Sequence, residues 1–114
     1  MHIIYESEKV GKYFFDWGLA QSKLNDKTRT VKKHINYLIA SPNFQMFLSL
    51  GLGKPHRLCG DLDKCYGISI TGNYRLIVRP NCQEIDSNSL KNCDTVIVKG
   101  VVDYHGGKYN WIIP

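Results

Sequence analysis

Absences narrow this chain before its motifs do. No apolar run approaches the roughly 20 residues that a membrane-spanning helix needs. Residues 1–8 show no basic start followed by an apolar run, so no secretory leader is expected and the cytoplasm is the expected location. None of the four cysteines, Cys59, Cys65, Cys82 and Cys93, falls in a CxxC pair, and no paired-histidine motif accompanies them. No metal site and no cofactor is therefore expected. In a reducing cytosol these cysteines read as free thiols, with a Cys82–Cys93 bridge left open because both flank one polar loop. Acidic residues are in deficit, ten against fifteen Lys and Arg, which leaves a formal charge of +5. That balance favours an anionic partner, either nucleic acid or an acidic protein.

What is present suffices for a single domain, residues 1–114. At 43% hydrophobic, the chain can bury a core, which argues against disorder. Residues 1–5 read as a strand, and Ser7 is placed to cap a helix behind it. Val10, Phe14, Trp17 and Leu24 form an apolar stripe, predicting one helix that Gly18 weakens and Asn25-Asp26 ends. Asp26 then caps a second helix, with Leu24, Thr28, Val31, Ile35 and Leu38 along one face. Lys27, Arg29, Lys32, Lys33 and His34 fall mostly elsewhere, as a solvated surface or as a contact for a nucleic-acid groove. Residues 41–43 end that helix, and 44–50 predict one more helical turn.

The pattern then changes to strands. Tyr66, Ile68 and Ile70 alternate with small residues, Thr71-Gly72-Asn73 reads as a tight turn, and Tyr74, Leu76 and Val78 alternate against Arg75, Ile77 and Arg79. Residues 95–102 predict an interior strand, and the apolar end at 111–113 is expected to pack back on the domain. The expected fold class is α+β, with two N-terminal helices packed on one face of a small, mostly antiparallel twisted sheet. The other face of the sheet is expected to be partly open, with Asn73, Arg75 and Arg79 on it.

Two stretches carry chemistry at strand ends: Thr71-Gly72-Asn73-Tyr74-Arg75 and Val101-Val102-Asp103-Tyr104-His105. In so short a chain they are expected to converge, joining Asn73, Arg75, Asp103, Tyr104 and His105 around one phosphodiester. Each has a plainer reading. Gly72-Asn73 is a turn signature first, Arg75 can pair with a sheet neighbour, and His56 can simply end a strand. His2 and His34 read as surface residues, and Tyr5, Tyr13, Tyr37, Tyr66 and Tyr74 as core or half-core.

With these residues in view, the chain resembles toxins of the RelE/ParE superfamily, most closely the HigB or plasmid maintenance killer branch of type II toxin–antitoxin systems. The resemblance runs from about residue 3 to residue 105. It rests on Pro55-His56-Arg57-Leu58-Cys59-Gly60-Asp61, Tyr66-Gly67-Ile68-Ser69-Ile70, Gly72-Asn73-Tyr74-Arg75-Leu76 and Val102-Asp103-Tyr104-His105. It implies a metal-independent, ribosome-dependent mRNA endoribonuclease (an mRNA interferase). Such an enzyme makes the RNA 2′-hydroxyl attack the adjacent phosphate. It also implies a HigA-like helix-turn-helix antitoxin as partner.

By that resemblance His56 is a catalytic-site histidine, Asn73 a substrate-binding residue, and Arg75 the phosphate-binding arginine. The C-terminal acid, tyrosine and histidine are Asp103, Tyr104 and His105. Proton transfer would fall to His105 and His56, histidine being the residue type suited to act as base or acid near neutral pH, and Arg75 would grip phosphate oxygens as a fork. HigB-type chains often carry Lys three residues after the first His. Here Cys59 stands in its place, and a neutral thiol does not stabilise a pentavalent phosphate as an ammonium does. Arg57, Lys54 and Lys64 are the neighbouring cations able to substitute. Two other readings compete: a ParE-like toxin directed at gyrase, and a toxin-fold module that binds RNA or antitoxin without cutting.

Overall fold

The computed structural model describes residues 1–114. Strand β1 (His2–Tyr5) leads into helices α1 (Glu8–Phe15), α2 (Trp17–Leu24), α3 (Thr28–Ala40) and α4 (Phe44–Leu50). Strands β2 (His56–Arg57), β3 (Tyr66–Ser69) and β4 (Tyr74–Pro80) follow, then α5 (Ser87–Lys91), β5 (Thr95–His105) and β6 (Lys108–Ile113). The expected α+β class holds, but the arrangement differs in detail: the N-terminal half has four helices and the sheet six strands.

The single first helix expected from the apolar stripe is two. The chain breaks at Asp16, which adopts an extended conformation (φ −129°, ψ 94°) and whose carboxylate accepts the Leu19 N–H at 3.1 Å, capping α2. An aspartate can serve a helix interior poorly and a cap well, and here the cap wins. Ser7 caps α1 as expected, accepting the Val10 N–H at 3.2 Å. Asp26 does not cap α3. It sits in a 3₁₀ turn (Asn25–Lys27), where its carboxylate accepts from Lys27 Nζ at 3.5 Å and the Thr28 hydroxyl donates to the Asn25 carbonyl at 2.8 Å. His34 is buried rather than on the surface, with its ring edge-on to Tyr37.

The sheet order is β1-β5-β4-β3-β2, with β6 also paired to β5. β1 runs parallel to the first half of β5, and the other pairings are antiparallel. The tail, expected only to pack back, instead forms β6 along the second half of β5. The helices cover one face of the sheet. Leu24, Val31, Ile35, Leu38, Phe44 and Phe47 meet Ile68, Leu76, Val78, Val96, Val98 and Val101 in one buried cluster. The opposite face carries only a small cluster, Leu62, Cys65, Ile77 and Val102, under the turn at Gly60–Leu62. The rest of that face is open, because the five helices pack on the other side and only one short turn lies on this one.

Candidate active site

Strand register decides which candidates meet. Arg75 stands opposite Val102, and Tyr74 opposite Asp103. Cross-strand partners share a face and neighbours along a strand alternate. Arg75 and Tyr104 therefore fall on the open face, and Asp103 and His105 on the other. His56 pairs with Gly67, also on the open face, and its ring lies where a side chain at Gly67 would project. Beside the buried Ile77 and Leu62, a depression of about 350 Å³ results, lined by His56, Arg57, Cys59, Arg75, Tyr104 and Tyr109. No carboxylate lines it.

The structure thus brings His56, Arg57, Arg75 and Tyr104 together and leaves Asp103, His105, Asn73, Lys54 and Arg79 outside. The expected meeting of Arg75 and His105 on one face does not occur. His105 instead forms a pair with Asp103 (Nδ1 to Oδ1, 3.2 Å), its neighbour two residues back on the same face. Asn73 is exposed in the turn, where its carbonyl accepts the Tyr104 N–H at 2.8 Å and ties the turn to β5. Arg79 lies four residues along β4, with a buried Nε that has no hydrogen-bond partner. Lys54 is exposed, and its carbonyl lies 3.3 Å from His56 Nδ1.

That last contact bears on His56. A carbonyl only accepts, so the bond requires hydrogen on Nδ1 and leaves the Nε2 lone pair free to take a proton. Arg75 is held as firmly. Its guanidinium donates to the carbonyls of Thr71 (2.8 Å), Tyr74 (3.0 Å) and Gly72 (3.1 Å). A guanidinium has five N–H donors, so two remain for a ligand. The turn and the arginine thus explain one another: Gly72-Asn73 is a turn, and it orients Arg75.

Cys59 lines the depression where the lysine of the resemblance would sit. Of the three cations able to substitute, only Arg57 reaches it. Arg57 is shared with Asp63 (3.4 Å) and lies over the Tyr66 ring. Lys64 is turned away, donating to the Gln83 carbonyl at 2.6 Å. Sequence reasoning passed over Tyr109, which lies in the unassigned tail. Its ring is nearly parallel to Tyr104 (8°, centroids 6.4 Å apart). The signal was its alternation with Trp111.

No protein-family model matches the chain, and no curated protein matches it. Solved structures do. A YoeB/ParE toxin from Agrobacterium tumefaciens superposes with a TM-score of 0.55 at 19% identity, covering 92% of this chain and 99% of that one. A chain of the YoeB-YefM complex from Staphylococcus aureus superposes with a TM-score of 0.51 at 17% identity, covering 92% and 97%. At such identities the likeness shows the fold: the chain has the fold of YoeB/ParE toxins.

Proposed function

We propose that this chain, folded as YoeB/ParE toxins are, is the toxin of a type II toxin–antitoxin system and an endoribonuclease that cuts mRNA on the ribosome. The observation that carries the reading is the carboxylate-free depression that joins His56, Arg75 and Tyr104 on the open face, with Arg57 also lining it. A phosphodiester needs positive charge and fixed donors, and its cleavage through the 2′-hydroxyl needs a base and an acid. In this reading Nε2 of His56 takes the 2′-hydroxyl proton as that oxygen bonds to phosphorus. The P–O5′ bond breaks, the 5′-oxygen takes up a proton from solvent water, and a 2′,3′-cyclic phosphate remains. Arg75, fixed by the turn, offers two N–H groups to the phosphate oxygens, and Arg57 adds the charge that Cys59 does not. Tyr104 stacks on a base or donates to the phosphate. Asp103 and His105, on the far face, contact RNA that passes the sheet end, and Asn73, Lys54 and Arg79 steer its backbone toward the depression.

The HigB-like motifs and the +5 charge support the same reading. A HigA-like helix-turn-helix antitoxin is the expected partner, as the YoeB-YefM toxin-antitoxin of Staphylococcus aureus is itself a complex. The test is induced expression in translating cells with mapping of RNA 5′ ends. Growth arrest with new 5′ ends inside coding regions is expected, relieved by His56→Ala or Arg75→Ala. Arrest without new ends, or arrest that both variants leave intact, overturns the assignment.

A further inference from the structure

Strand β6 presents a surface the reaction above does not use. Tyr109 stands opposite Tyr104, and Trp111 opposite Val102, so both lie on the face of Arg75. Tyr109 and Trp111 meet edge to face, centroids 5.9 Å apart. The three rings form a continuous row from the depression to the sheet's edge. The two outer rings are exposed, Tyr104 to 42% and Trp111 to 38%, while Tyr109 between them is half-buried against the small cluster of Leu62, Cys65, Ile77 and Val102. Trp111 is seated over Gly100, where a Cβ would press its ring at 3.1 Å.

We infer that Tyr109 and Trp111 extend Tyr104 into a shelf that stacks the unpaired bases of single-stranded RNA next to the cleaved phosphate. The inference rests on the endoribonuclease reading. Charge complementarity selects the occupant. The row opens into a depression lined by Arg75 and Arg57, the latter shared with Asp63, and by no carboxylate, so a ligand lying along it meets arginines at one end and π faces at the other. Single-stranded RNA carries both counterparts in alternation, and stacking on aromatic rings tolerates any base.

The test uses the full chain and mRNA on programmed ribosomes, with cleavage followed against protein concentration. Tyr109→Leu and Trp111→Leu are each expected to raise the half-saturating concentration about five- to 150-fold. Tyr109→Phe, which keeps the ring, is expected to lose much less than Tyr109→Leu. An abasic nucleotide beside the cut is expected to impose a similar loss on the wild type and little further loss on the leucine variants. If the wild type cuts and the variants either match it or lose equally on intact and abasic mRNA, the shelf is wrong and the nuclease reading stands. If the wild type cuts no RNA, both fall.

Discussion

Arg75 and His105 point to opposite faces of the sheet, because Arg75 pairs with Val102 while the neighbouring Tyr74 pairs with Asp103. A one-residue difference in register separates two residues that chain order alone seemed to unite. His56 takes the place beside Arg75. His56→Gln is expected to slow cleavage on programmed ribosomes about 10²- to 10⁴-fold, the usual weight of one proton-transfer group. His105→Gln is expected to cost distinctly less. Arg75→Lys keeps the charge but loses the fork, so an intermediate loss is expected. An equal or larger loss for His105→Gln would reassign the base.

Cys59 is exposed at the mouth of the depression, whereas Cys65 and Cys93 are buried. The Cys82 thiol is pushed up to about 11, chiefly by burial and then by Cys93 beside it. At pH 8, iodoacetamide is expected to label Cys59 first, read by peptide mass spectrometry, because the thiolate is the nucleophile. Initial labelling at Cys82 would contradict this arrangement.

His34 is 6% exposed, and its Nδ1 has no hydrogen-bond partner. Burial, helped by the adjacent Lys33 charge, holds its pKa below the ordinary value. The unfolded chain then binds a proton that the folded chain resists. Stability present above about pH 6.5 is therefore lost as pH falls below it. Urea unfolding at pH 7.5 and 5.5 is expected to show this loss in the wild type and a smaller one in His34→Phe, where the ring stays and the titration goes.

The α1–α2 break depends on one carboxylate. Asp16→Ala removes the acceptor of the Leu19 N–H and is expected to cost about 1 kcal/mol in denaturant unfolding. A neutral result would mean that packing, not the cap, sets the break.

Gly100 has φ 142°, and a Cβ there would run into the Ile113 carbonyl of β6. Gly100→Ala is expected to cost about 1–3 kcal/mol and to loosen β6. Faster amide exchange along Lys108–Ile113 would register the loosening.

Periodicity read the parts of this fold that local chemistry governs. The apolar positions of α3 and the alternation in β3 and β4 follow from which side chains must leave water, and Leu38, Ile68, Leu76 and Val78 are all fully buried. The break at Asp16 was hidden because the apolar stripe runs unbroken through it, so that period did not reveal the cap. The burial of His34 was hidden because histidine is polar enough for a surface and flat enough for a core. Its partners, Gly53 and Tyr37, lie in a loop and on its own helix. Strand β6 was missed because the two glycines before it read as a flexible start, whereas they form the turn of a hairpin.

By itself the amino-acid order determined the class of the fold, the basic surface and the residue types able to handle a phosphate. These depend on side-chain chemistry and on spacing within one element. Only the tertiary structure decided which of them form a site. Pairing register between β4, β5 and β6 and between β2 and β3 selects His56, Arg75 and Tyr104 for one face and sends Asp103 and His105 to the other. Register is a relation between strands distant in the chain, fixed by burying one face of each together, and no single stretch of sequence contains it.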